Sequence, residues 1–367
     1  MLGISILSVI ILLGILIFAH EFGHFLVAKY SGVGVIKFSL GFGPKIIGRK
    51  IGETEYRISL IPLGGYVKLL GESESEQLPE EDEKRSFFKQ PVWKRAMIVA
   101  AGPVFNVLLA ILIFAVVYMS GVPTLTTYIG AVQDGSPAFE AGIRAGDSIT
   151  AIDGKEITRW ESLAETITKS KGRELRVTIA RGNETKEIVL TPRLYNTKNI
   201  FGEDIQSYKI GVSPSPDHAA VERMNPFSAF WMSLKQTWFI SKLTVLSIVK
   251  IFEGVVSPRT LGGPIMIAQI AGTQVKEGIV PFVLFMALLS INLAILNILP
   301  IPILDGGHLF FFLIEAITGR EINIKWREMA QQVGLVVIVI LMIFVIIMDI
   351  ERLNIKWLDD VSKFFTG

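Results

Sequence analysis

Four stretches of this chain are each long and apolar enough to cross the hydrocarbon core of a bilayer as a helix, which takes about 20 residues. They run from about Ile4 to Ala28, Ala96 to Met119, Pro281 to Leu299 and Val333 to Met348. Half of the 367 residues are hydrophobic and the mean hydropathy is +0.50, values that soluble globular chains rarely reach. The expected fold is therefore a polytopic α-helical membrane protein with about four transmembrane helices. No Lys or Arg precedes the first stretch, and it continues past His20 and Glu21 into Phe25, Leu26 and Val27 without a small-residue cleavage pattern. It is expected to be a retained helix rather than a signal peptide.

Charge sets the orientation. Lys29, Lys37, Lys45, Arg49, Lys50, Lys84, Arg85, Lys89, Lys94 and Arg95 lie between the first and second stretches, and Arg320, Lys325 and Arg327 between the third and fourth. Both connections are expected on the cytoplasmic side, and the segment from about 120 to 280 on the outer side. The net charge of +2 calls for no nucleic-acid partner, and the absence of cysteine excludes disulfides, thiolate ligands and a cysteine nucleophile. Phe227 to Phe252 is apolar and aromatic, but Lys235, Lys242 and Lys250 recur on one helical face. An amphipathic helix at the outer membrane surface suits it better than a span.

His20-Glu21-Phe22-Gly23-His24 is an H-E-x-x-H sequence, and the chain spends two of its four histidines on it. On a helix the imidazoles four residues apart project from one face at a spacing that grips zinc, and Glu21 falls where a carboxylate takes a proton from the attacking water. An ionised carboxylate inside an apolar helix costs about 2.5 to 3.5 kcal/mol on insertion scales, so it is read as functional. Catalytic zinc takes three protein ligands and leaves a position open, so a third ligand is expected in another buried segment. The run from Asn297 through Pro300, Pro302 and Asp305 to His308 supplies it. Its prolines halt the helix, and membrane proteins tolerate such irregular backbone only where it lines a cavity. Asp305 is the expected ligand, with His308 a rival that spacing does not exclude. The plain alternative is an ordinary helix end, with Asp305 capping a helix that begins near Leu309.

These residues resemble the site-2 proteases, in particular the bacterial regulator-of-sigma-E protease branch. The resemblance rests on His20 to His24, Gly41-Phe42-Gly43-Pro44, Pro62 to Val67, Ala101-Gly102-Pro103-Val104-Phe105-Asn106 and Asn297 to Gly307, in the family's order along the chain. It implies Zn2+ held by His20, His24 and Asp305, Glu21 as catalytic base, and Asn292 and Asn297 holding substrate near the metal. It further implies site-2 cleavage of transmembrane proteins such as anti-sigma factors after a first protease has trimmed them, with remnant signal peptides a second substrate class. The place implied is the bacterial inner membrane, with the active site toward the cytoplasm.

Gly130 to Ala138 and Ala141 to Gly154 are similar to PDZ domains of bacterial proteases. Leu175, Val177 and Ile179 alternate with polar neighbours and join Ile188 to Leu190 through Arg181-Gly182-Asn183, a hairpin signal. One such α+β domain, extracytoplasmic and inserted between spans, is expected, acting as a peptide binder or a steric filter. Residues 35–70 carry alternating apolar positions with Gly and Pro at turns, so membrane-associated β-hairpins are expected there. An exposed strand edge in that region would give an unwound substrate replacement hydrogen-bond partners.

Gly102, Pro103 and Asn106 fit either a kinked small-residue packing site or a place near substrate. Glu72 to Glu83 is expected to be a solvated linker, and His218 is not expected to be a ligand. The chain thus divides into an N-terminal membrane core (1–120), the PDZ domain (121–215), a surface-helix region (216–278) and a C-terminal membrane core with its tail (279–367). Two rival functions are a membrane-anchored surface zinc protease, which would usually take a Glu as third ligand, and a non-catalytic PDZ scaffold.

Overall fold

The computed structural model describes residues 2–72 and 78–352. Residues 73–77 of the expected acidic linker and the C-terminal tail from 353 lie outside the described residues. The contacts divide the chain into two units. One comprises residues 1–115, 230–248 and 257–367, the other 116–229 and 249–256.

Four helices of the membrane type appear where hydropathy placed them: α1 (Leu2–Tyr30), α3 (Val92–Ser120), α8 (Ile279–Ile298) and α10 (Ile324–Arg352). At about 1.5 Å per residue even the shortest of them reaches about 30 Å, the thickness of the hydrocarbon. Between α1 and α3 lie β1 (Val35–Ile51), β2 (Thr54–Leu69) and the single-turn α2 (Glu80–Glu83), so one end of the expected acidic linker is helical. The long strands β1 and β2 bend and slip register repeatedly. As a result residues 37–40 are flanked on one side by Glu55 to Ile58 and on the other by Gly65 to Lys68, and the stretch from Gly65 to Leu69 forms an outer edge.

α8 ends where proline forbids its continuation. Leu299, which precedes Pro300, already has extended backbone (φ −59°, ψ 143°). The chain then turns directly into α9 (Asp305–Thr318), so the helix begins at Asp305 itself and not near Leu309. The turn is this tight because position 306 is glycine: a Cβ there would lie 2.2 Å from the carbonyl oxygens of Ile298 and Leu299. α6 (Pro226–Phe252) is the helix expected from the Lys-striped segment, and α7 (Pro264–Glu277) follows Gly263. The buried Asp349 of α10 accepts the backbone N–H groups of Gly263, Ile265 and Met266 at 2.9–3.1 Å, satisfying the first turn of α7. That contact accounts for the Gly262-Gly263-Pro264 segment, which must run close against α10.

The second unit carries β3 (Val122–Leu125), β4 (Ile129–Val132), α4 (Pro137–Glu140), β5 (Ser148–Ile152), β6 (Lys155–Glu156) and α5 (Trp160–Lys169). It continues through β7 (Leu175–Arg181), β8 (Glu184–Leu190), β9 (Arg193–Lys198), β10 (Asp204–Lys209), β11 (Val212–Pro214) and β12 (Ala219–Glu222). A four-stranded sheet of order β6-β5-β7-β8 is joined by the pairs β4–β11, β9–β10 and β3–β12. The alternation of Leu175, Val177 and Ile179 puts all three on one face, where they are at most 1 % exposed and pack with Ile149, Leu163 and Ile210. Because Ile210 and β11 complete this core, the folded unit extends past Pro192. Asp147 is buried beneath it and takes both a paired contact from Arg181 at 2.7–2.8 Å and the Arg144 N–H at 2.8 Å.

Candidate metal centre and active site

α1 carries His20 and His24 one turn apart on the face it turns toward α3, and the Pro-broken connection after α8 delivers Asp305 to the same point. The His20 Nε2 and His24 Nε2 atoms are 3.2 Å apart, and Asp305 Oδ2 lies 3.1 Å from the first and 3.6 Å from the second. Three donors bound tetrahedrally at zinc distances of about 2.0–2.1 Å would stand about 3.3 Å from one another. Asp305 Oδ2 is buried and has no hydrogen-bond donor, a costly state that a cation relieves. Donor set, spacing and the orphaned oxygen all fit zinc. Among the described residues this is the one His/Asp/Glu group arranged to hold a metal.

The imidazoles are oriented from α3. The Ile98 carbonyl oxygen lies 2.9 Å from His24 Nδ1, and since a carbonyl only accepts, Nδ1 carries the proton and Nε2 offers its lone pair. Asn106, fully buried, approaches His20 Nδ1 at 3.2 Å. Gly102 lies between these two contacts. A Cβ at that position would fall 2.3 Å from His24 Nε2 and 2.8 Å from His20 Cε1, so only glycine admits both rings. Gly102 and Asn106 therefore both adjoin the imidazoles of the candidate metal site, whichever effect Pro103 has on the helix.

A cavity of about 250 Å³ opens beside the cluster, walled on one side by His20, Glu21, His24 and Asp305 and on another by the strand residues Gly65 to Val67. Glu21 and Val67 line the same cavity, so the outer edge of the sheet meets the expected base. Asn297 reaches the cluster, its Nδ2 3.5 Å from His20 Nε2. Asn292, five residues earlier and so on another face of α8, has its Oδ1 bound by Thr244 Oγ1 of α6 at 2.8 Å. His308 lines the cavity but contributes no atom to the ligand trio, and its Nε2 faces Gln331 at 3.4 Å. His218 lies elsewhere, stacked on Tyr128 with its Nδ1 3.1 Å from Ser215 Oγ. Sequence reasoning had no access to the Ile98 carbonyl, because a backbone group leaves no residue-type signal.

The sequence profile of peptidase family M50 matches residues 8–341. A protein of Rhizobium meliloti, named provisionally as a zinc metalloprotease, is 33% identical over 362 residues, which cover 95% of this chain and 97% of that one. Proteins named in the same way from Campylobacter jejuni (34% identical, 96% and 94% covered) and Rickettsia conorii (37%, 95% and 99%) are similar over the same extent. Among solved structures, the PDZ domain of an SdrC-like protein from Listeria monocytogenes is similar to 26% of this chain. It is 22% identical, 94% of it is covered, and the TM-score is 0.21.

Proposed function

Since the chain belongs to peptidase family M50 and is a zinc metalloendopeptidase, we propose that it cuts single-span membrane proteins within the bilayer or at its edge. The observation that carries this reading is the meeting of His20 and His24, from within an apolar helix, with Asp305, from a Pro-broken apolar segment. A protease working only at the surface would have no need to build its centre from such segments.

His20, His24 and Asp305 would hold the zinc ion, which when bound lowers the pKa of water to about 7 and polarises a carbonyl. Glu21 takes the proton of the attacking water and returns it to the leaving amine, so no covalent acyl-enzyme is needed. The Asn297 carboxamide can donate to the scissile carbonyl oxygen from its place beside His20. A transmembrane substrate is helical and must unwind before water can attack; the edge from Gly65 to Leu69 offers the unwound segment backbone partners at the wall of the cavity. In this reading the substrates are anti-sigma-factor-like proteins already trimmed by a first protease, or remnant signal peptides. On the same reading the catalytic end of the spans faces the cytoplasmic side of a bacterial inner membrane, which the Lys and Arg of the connections support. The second unit is read as a PDZ domain that screens what reaches the site.

Purified full-length protein assayed with a single-span substrate in liposomes tests this. Glu21→Gln should retain stoichiometric zinc and lose cleavage by about 10²–10⁴-fold, whereas Asp305→Ala should lose the zinc itself. Unchanged cleavage in the Gln variant would remove Glu21 from the chemistry, and full zinc retention in the Ala variant would dissolve the site.

A further inference from the structure

Asn106 raises a question of donors and acceptors that the zinc site answers. Its side chain is fully buried on α3, its Nδ2 stands 3.2 Å from His20 Nδ1, and its Oδ1 is buried without any partner. Its main chain is already engaged, the carbonyl accepting the buried Ser290 hydroxyl of α8 at 2.7 Å. The carboxamide is thus held in place with one function left to perform. A neutral imidazole that gives its Nε2 lone pair to a metal carries its proton on Nδ1. With the NH2 turned toward that Nδ1–H, two donors would face each other with no acceptor between them. Exchanging the carboxamide's oxygen and nitrogen changes no volume and removes the donor–donor conflict: Nδ1–H donates to Oδ1, and the NH2 takes the buried position on the other side.

We propose that Asn106 is the positioning residue for His20, its side-chain oxygen accepting the Nδ1 proton and so presenting Nε2 to zinc. It would do for His20 what the Ile98 carbonyl does for His24, making one helix, α3, the orienting element for both histidines. A helix carbonyl serves His24 because that ring lies against the α3 backbone; His20, one turn earlier in α1, is reached by a side chain instead.

This deepens the zinc-peptidase reading and is tested separately from it, by zinc affinity of the full chain in detergent, measured by competition with a chelator. Asn106→Leu, similar in volume but without an acceptor, should bind zinc about 10–100-fold more weakly. Asn106→Asp, which keeps the acceptor, should bind within about threefold of wild type, because the outer partner is retained. Equal loss in both variants, or loss in neither, overturns the proposal while leaving the wild-type zinc content, and with it the peptidase reading, intact. A measurement that needs no variant at this position is 15N NMR of histidine-labelled, zinc-loaded protein, with the His20 signal identified by its disappearance in His20→Gln. A proton on Nδ1 is the expected result, and a proton on Nε2 overturns the assignment even if the leucine variant fails to fold.

Discussion

At the level of single residues, the site depends as much on what is missing at position 102 as on what its ligands supply. Gly102→Ala adds one methyl group, but that methyl would enter the space of both imidazoles, and α3 cannot retreat without moving Asn106 and Ile98. We expect the variant to fold and insert, with zinc occupancy and cleavage both falling by at least about tenfold, a displacement comparable with loss of an outer partner. Wild-type zinc affinity measured on Gly102→Ala would show that the rings have room to spare. The convergence of His20 and His24 was legible in the sequence because their spacing is itself one helical turn. Asp305 was legible for a different reason, as an acid directly after two prolines in an apolar run. Gly102 and Asn106 were not, because a glycine and a polar residue in a membrane helix serve ordinary packing equally well. Only the positions of the two rings decide between the readings.

Among the elements, the four span helices and the Lys-striped helix α6 were foreseeable from length and hydropathy, which require no partner to be known. The helix start at Asp305 was foreseeable only in part. The sequence shows Pro300 and Pro302 ending α8, but not that Gly306 lets the next helix start within the same turn. Likewise the β region between α1 and α3 was visible as alternation, whereas its slipped registers come from packing of one strand on two stretches of its neighbour. In the second unit, the sheet is fastened by Asp147. The Arg181 guanidinium, with help from the Arg144 N–H, holds its carboxyl below the usual carboxylate range, although burial opposes this. A carboxyl whose folded-state pKa is depressed binds its proton less readily folded than unfolded. Its stabilisation is therefore complete above the unfolded value of about 3.9 and declines as pH falls through the folded value. Arg181→Gln should weaken this unit by about 2 kcal/mol at pH 7, seen as faster hydrogen exchange in β5 and β7, and the gap from wild type should close below about pH 4. A gap that stayed constant down to pH 3 would point to lost packing of the arginine stem instead.

For the whole molecule, the division into two units has an energetic counterpart. All three residues of the proposed metal site belong to the unit that holds the apolar helices, and none to residues 116–229. A bound ion stabilises only the fold that forms its site, by about 4 kcal/mol when its free concentration is a thousand times Kd. Stripping zinc from the intact protein should lower the unfolding temperature of the span unit and leave that of the β-rich unit where it was. A calorimetric trace with both transitions shifted equally would mean that they unfold as one cooperative block. Overall architecture was therefore readable from coarse features, since lipid permits few backbone solutions. The centre itself was readable only to the extent that chemistry and spacing coincide.

With α1 and α3 touching through a bare backbone at residue 102, there is no slack between them to be taken up. Prising those two helices apart would cost the enzyme its own ion before any guest arrived. In the proposed reading the guest comes instead past the strand wall at Gly65 to Val67, which lines the cavity beside the ligand trio, and an inhibitor slim enough to lie along that wall would meet the metal without disturbing the helices at all.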